Sequence, residues 1–396
     1  MIFGFSWLDI VLAIVLLSFL VSGWRQGFLV TLGRIVGLIA GAIGAFYAVP
    51  TVSSWVPSPG WRLFWVVAVA VVLIIVGQAI GTALGARIRR WLNLKALRAF
   101  DRLTGAVLNT AVAAVVISAV SFSVAAMGIP ILSQSLADSR VISTIRQYTP
   151  EPVEQALASA RSAVMGESIP ELFEPFAPTE AAPAPEPEEM AAGPGIDAAA
   201  NAVVKVSGTA YQCGVNQTGS GFAAAPDRVI TNAHVVAGVT DPVVTTRDGR
   251  ALPATIAHFD PARDLAVLAV PDLQLTPIPV GQDLGEGESG VFMGHPAGGP
   301  FTALGATVQS VRDVSVQNIY GGEPSSLNIY QLGADIEQGN SGGPLVDEEG
   351  RLIGVVFAKA RGAEDVGYAL SLEEVAPLVE AAEEYDDVVS SGACTS

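Results

Sequence analysis

Ser341 stands in the string Gly339-Asn340-Ser341-Gly342-Gly343-Pro344-Leu345. A serine hydroxyl is a poor nucleophile at its own pKa; it needs a base beside it and donors for the oxyanion it creates. Flanking glycines let the backbone turn sharply, keep side chains off the attacked carbonyl, and free N–H groups to point inward. The backbone N–H groups of Gly339 and Ser341 are placed to supply two such donors. Taken alone, the string also reads as a Gly-rich turn between strands. A base and an orienter are on offer elsewhere. His234 lies in Thr231-Asn232-Ala233-His234-Val235-Val236, after Gly219-Ser220-Gly221-Phe222 and the apolar pair Val229-Ile230. Asp264 opens Asp264-Leu265-Ala266-Val267-Leu268, and Asp260 is its rival for orienting the imidazole. In this chain order, His234, Asp264 and Ser341 would form an acyl-transfer triad. Such a triad needs no metal and no cofactor.

Together with Gly367-Tyr368-Ala369-Leu370, these motifs make residues 200–380 resemble the trypsin-like serine proteases of the bacterial stress-protease (HtrA/Deg) type. The resemblance implies two six-stranded β-barrels with the triad between them, and protein or peptide substrates. Two features depart from that family. Too few residues follow Ser341 for the PDZ domain usually appended, and Gly333-Ala334 stands where a Thr-Asp pair is usual. Asp335, six residues before Ser341, is at the position that lines the first specificity pocket of trypsin-like enzymes. A carboxylate there would favour Arg or Lys, although the flanking sequence follows the stress-protease pattern, whose chain path differs. The strand near Val355-Val356-Phe357 is expected to pair with substrate backbone. His258 reads as a surface strand end and His295 as part of a Gly-His-Pro turn. With only three histidines, a zinc site is not expected.

Composition divides the chain that must position these groups. It is 51% hydrophobic and only 15% charged, too apolar for an ordinary soluble protein. Residues 1–124 carry nine Lys/Arg and two acids, whereas the rest carries twelve and thirty-six. So acidic a soluble part argues against nucleic-acid binding. Four apolar stretches are long enough to span hydrocarbon as helices: Met1–Val21, Gly27–Val49, Leu63–Leu84 and Leu103–Ala126. The first lacks a basic start and a cleavage site, so it reads as a retained helix. Small residues in the second and fourth allow close packing. Basic residues cluster between spans three and four (Arg87, Arg89, Arg90, Lys95, Arg98, Arg102), which places that loop in the cytoplasm and both termini outside. The protease-like part is then periplasmic, anchored in the inner (cytoplasmic) membrane. Cys213 and Cys394 are expected to form a disulfide there. Asp9, Arg25, Arg34 and Asp101 are the notable charges in or near the spans, and interfacial or loop positions explain them better than transport.

Trp24-Arg25-Gln26-Gly27 and Asp101-Arg102-Leu103-Thr104-Gly105 make the front of the chain resemble the colicin V production protein family of four-span membrane proteins. The whole architecture resembles the mycobacterial acid-resistance membrane proteases and their actinobacterial relatives, which implies a role in acid or oxidative stress and in cell-envelope maintenance. The expected organisation is an all-α membrane domain of four transmembrane helices (1–127), short helices and an Ala/Pro/Glu-rich linker (128–199), and an all-β trypsin-like double barrel (200–396) closed by a helix, Leu372–Glu384. The linker is a natural place for self-cleavage. The competing reading is a transporter or secretion component whose protease-like domain is a binding or sensor module.

Overall fold

The structure, a computed structural model, describes residues 6–55, 59–91, 95–165, 171–172, 193–360 and 365–395. The Ala/Pro/Glu-rich stretch, with the self-cleavage expected in it, lies outside the described residues. Two compact units divide the chain, residues 1–118 and 119–396.

The first unit is helical: α1 (Trp7–Gln26), α2 (Phe28–Trp55), α3 (Pro59–Arg89) and α4 (Lys95–Ala126), the last of which continues into the second unit. Each contains a stretch long and apolar enough to cross a membrane. Asp9 is a capping residue. Its carboxylate accepts the Ser6 N–H at 3.0 Å while Ser6 Oγ accepts the Asp9 N–H at 3.1 Å. Helices α2 and α3 meet along facing glycines. A Cβ on Gly37 would lie 2.1 Å from the Gly77 carbonyl oxygen, and one on Gly33 2.3 Å from that of Gly81. Backbones can approach this closely only without side chains. The two motifs of the colicin V resemblance also meet. Asp101 is buried, accepts the Leu29 N–H at 3.1 Å and pairs with Arg89 at 2.8 Å, and a Cβ on Gly27 would strike its carboxylate. The charge expected in a loop therefore closes the α1–α2 corner.

The second unit carries both barrels expected from the resemblance. The first orders its strands β6-β5-β2-β3-β4-β8-β7: β2 (Val203–Ala210), β3 (Val215–Ala225), β4 (Arg228–Thr231), β5 (Val243–Thr245), β6 (Ala251–Pro253), β7 (Thr255–Asp260) and β8 (Leu265–Ala269). Strands β6 and β7 are separated only by Ala254, whose N–H donates to the Pro242 carbonyl, so together they act as one bent strand and the barrel counts six. Val204, Phe222, Ile230, Leu265 and Leu268 on its strands are all buried. The second barrel runs β13-β12-β9-β10-β11-β14 and closes by pairing β14 with β13: β9 (Ser289–Gly294), β10 (Thr302–Gln317), β11 (Pro324–Gly333), β12 (Pro344–Val346), β13 (Leu352–Ala360) and β14 (Val366–Ser371). Phe292, Leu332, Ile336, Leu345 and Ile353 fill it. A two-residue strand, β1 (Glu171–Leu172), adds in parallel at Lys359–Ala360.

Short helices follow the last span: α5 (Pro130–Ala137), α6 (Arg140–Tyr148) and α7 (Glu151–Met165). Helix α5 packs on β6 and α7 on the 3-10 turn Pro296–Gly298, so this segment clothes the barrels. Helix α8 (Pro194–Ala202) leads into β2. After β14, the closing helix runs Leu372–Ala381, and the tail returns so that Cys394 bridges Cys213 across 181 residues of sequence.

Candidate active site

His234 sits on a single helical turn, α9 (Ala233–Val236), immediately after β4. Asp264 lies just before β8, the strand paired with β4, so sheet register brings the two together. The Asp264 carboxylate grips His234 twice. One oxygen accepts the His234 backbone N–H at 2.8 Å and the other faces Nδ1 at 2.6 Å. Donation from Nδ1–H fixes the tautomer that leaves Nε2 as a bare acceptor. Asp264 has φ +56°, a left-handed conformation uncommon outside glycine. The Asn232 side-chain amide holds it there by donating to the Asp264 carbonyl at 2.8 Å. The rival Asp260 is engaged in its own turn, accepting the Ala262 and Arg263 N–H groups.

The Ser341 turn belongs to the second barrel but is latched to both. Gly342 N–H donates to the Val356 carbonyl at 2.8 Å, and Val356 N–H to that of Gly343 at 3.0 Å. Toward the first barrel, the Ser341 carbonyl accepts the Ser220 N–H at 2.8 Å. A Cβ on Gly342 would lie 2.2 Å from the Ser220 carbonyl oxygen and 2.9 Å from Asn232 N. The glycines beside the serine thus let its turn seat against the histidine loop. Among the described residues no hydrogen bond joins Ser341 Oγ to His234. Neither Gly339 nor Ser341 N–H donates to a backbone acceptor among the described residues, which leaves both available to an oxyanion.

Ser220 is the residue that motif reading leaves without a role. Its hydroxyl donates to the Gly339 carbonyl at 2.6 Å and accepts the His295 N–H at 2.8 Å, while its carbonyl accepts Thr231 Oγ1 at 2.7 Å. One side chain therefore ties the first barrel to the serine turn and to the loop after β9. His295, expected as a turn residue, is a buried part of that loop and faces the Gly299 carbonyl at 3.0 Å through Nδ1. Burial, with Lys205 nearby, lowers its pKa to about 3, so it is neutral. His258 stacks on Tyr385 at 4.3 Å. Asp335 is exposed, between the buried Ala334 and Ile336. Val355 and Val356 are paired on both sides, with the β12 side and with β14, and β1 covers Lys359 and Ala360, so among the described residues the open edge of β13 is Phe357 and Ala358.

Residues 219–355 match the family of the trypsin-like peptidase domain, and residues 8–150 that of the colicin V production protein. The serine protease Rv3671c of Mycobacterium tuberculosis (strain H37Rv) is 32% identical over 399 residues, 99% of each chain. The Do-like serine protease HtrA of Bacillus subtilis is 34% identical over 160 residues, 38% of this chain and 35% of that protein. The crystal structure of the Rv3671c protease in its active form superposes with a TM-score of 0.52 at 38% identity, covering 57% of this chain and all of that one.

Proposed function

This chain belongs to the Rv3671c family of serine proteases, and from that premise we propose that it cleaves peptide bonds through His234, Asp264 and Ser341. The observation that carries the assignment of roles is the double grip of the Asp264 carboxylate on His234, beside a serine turn docked on the same loop. Ser341 Oγ attacks the scissile carbonyl as His234 Nε2 takes its proton. Asp264 holds the tautomer and stabilises the imidazolium. The Gly339 and Ser341 N–H groups receive the oxyanion, and His234 then gives its proton to the leaving amine. Water repeats the sequence on the acyl-enzyme. Substrate backbone adds along β13 at Phe357 and Ala358, short of the residues that β1 covers. The stress-protease pattern of the sequence flanking Asp335 favours a first pocket that is not basic-selective. Hydrolysis of a peptide library by the full chain tests this: cleavage after Arg and Lys that disappears in Asp335→Asn would restore the basic reading.

The four apolar helices make the chain a multi-pass membrane protein. We place the protease on the periplasmic side of the inner membrane. The basic cluster between spans three and four and the Cys213–Cys394 bridge both support that side. A membrane-impermeant thiol reagent, applied to intact cells after mild reduction, should reach Cys394; protection would put the domain in the cytoplasm. Self-cleavage in the linker is part of the proposal: a soluble fragment starting near residue 180 should accompany the native chain and be missing with Ser341→Ala. The proposed setting is acid or oxidative stress and envelope maintenance, tested by survival at low pH of cells carrying Ser341→Ala in place of the native chain.

A further inference from the structure

The carbonyl of Gln338 and the N–H of Gly339 belong to one trans peptide and point in opposite directions. Whichever group holds that carbonyl therefore aims the oxyanion donor. Here the holder is Ala297, whose N–H donates to the Gln338 carbonyl at 2.5 Å. The turn around Ala297 lies directly on Gly339, where a Cβ would stand 2.4 Å from the His295 carbonyl oxygen and 2.8 Å from Ala297 N. That turn is not a relaxed one. Ala297 has φ +51° and Gly298 φ +68°, two left-handed residues in succession, the first with a Cβ.

A buried arginine and a half-buried lysine grip it from outside. Arg161 of α7 donates to the Ala297 carbonyl and to Thr218 Oγ1, each at 3.3 Å. Lys205 Nζ donates to the Gly298 carbonyl at 3.2 Å. Both cations lie over the Phe122 ring, at 5.6 and 5.3 Å from its centre. One turn back along α7 from Arg161, Ala158 is fully buried, and a Cβ on Gly299 would lie 2.8 Å from its own. None of these groups touches the reacting atoms, and none is needed to fill a barrel.

We propose that α7, through Arg161 and Ala158, is the positioning element of the oxyanion hole: docked on the 296–299 turn, it keeps Ala297 left-handed and the Gly339 N–H facing the substrate carbonyl. The third helix after the last membrane span thereby sets the turnover of the protease. This inference rests on the protease reading above, with Gly339 as an oxyanion donor.

The test uses the full chain in detergent, with a fluorophosphonate serine probe, a fluorogenic peptide and a peptide aldehyde. Loss of an oxyanion donor costs about 10²–10³ in turnover, and a donor left free to turn away should cost at least about tenfold. Arg161→Met should lower kcat by that much at unchanged KM, weaken the aldehyde by the same factor as kcat/KM, and leave the melting transition cooperative. Arg161→Lys should recover part of the loss. In an Ala297→Gly background, where the left-handed residue needs no holding, Arg161→Met should cost less. Ala158→Leu moves α7 off the turn without touching a charge; it should lower kcat in the same way and covers the case in which Arg161→Met does not fold. Unchanged kcat in the folded variants, or a falling kcat with unmoved aldehyde affinity, overturns the inference alone. A wild-type chain that does not label at Ser341 overturns instead the protease reading beneath it.

Discussion

The side chains proposed as catalytic are legible in sequence because the chemistry proposed for them dictates residue type. A nucleophile that needs a base, an orienter and a glycine turn leaves few positions open, and Asp264 was separable from Asp260 by its string. Ser220 was not legible. It works by touching two loops of the second barrel from the first, and nothing local in Gly219-Ser220-Gly221 announces that. Its truncation should be costly. Ser220→Ala leaves the buried Gly339 carbonyl and His295 N–H without their partner, at about 1–3 kcal/mol for each unsatisfied group. Thermal unfolding should show that loss, with kcat falling as the serine turn loosens; a variant as stable and active as wild type would remove Ser220 from the account. Asp264→Asn should behave differently. The fold stays and kcat drops about 10⁴-fold, because the wrong imidazole tautomer is held. Peptide hydrolysis at matched concentration of folded protein checks it.

At the scale of elements, strands with apolar alternation were readable and polar ones were not. Strand β3 is the clearest polar one. Its Asn216-Gln217-Thr218-Gly219-Ser220-Gly221 stretch has the composition of a loop, yet it pairs with β2 along its length because the barrel needs a strand there. Likewise the α2 glycines were visible as a stripe, but their partners on α3 required the structure. Gly37→Leu should separate that hairpin, since its side chain would enter the Gly77 backbone; loss of monodisperse full-length protein in detergent is the expected readout. The loop after β9 carries a pH signature. His295 is neutral in the fold down to about pH 3 but titrates near 6.5 when unfolded. The unfolded chain thus binds an extra proton across that window. Stability should fall as pH is lowered from 6.5 toward 3, by up to about 1.4 kcal/mol per pH unit from this group. Denaturant titrations across the window should show a shallower fall for His295→Asn than for wild type. Equal slopes would assign the acid sensitivity elsewhere.

For the whole molecule, the division into an apolar helical front and an acidic β-rich remainder was written in composition. The allegiance of residues 128–165 was not. Their alternation fits short helices anywhere, and only packing shows α5 and α7 lying on the barrels. The Cys213–Cys394 bridge closes so long a loop that chain entropy sets a ceiling of about 5 kcal/mol on its contribution. Cys394→Ser should lower the melting temperature under oxidising conditions and make it insensitive to reductant. Ser341, His234 and Asp264 are proposed to form an assembled nucleophile in this chain. The most direct measurement is fluorophosphonate labelling of the full-length protein in detergent, beside Ser341→Ala and His234→Ala. The wild type should label, and the two variants should not. A folded wild type that stays unlabelled, or a Ser341→Ala variant that labels as strongly, would contradict the proposal.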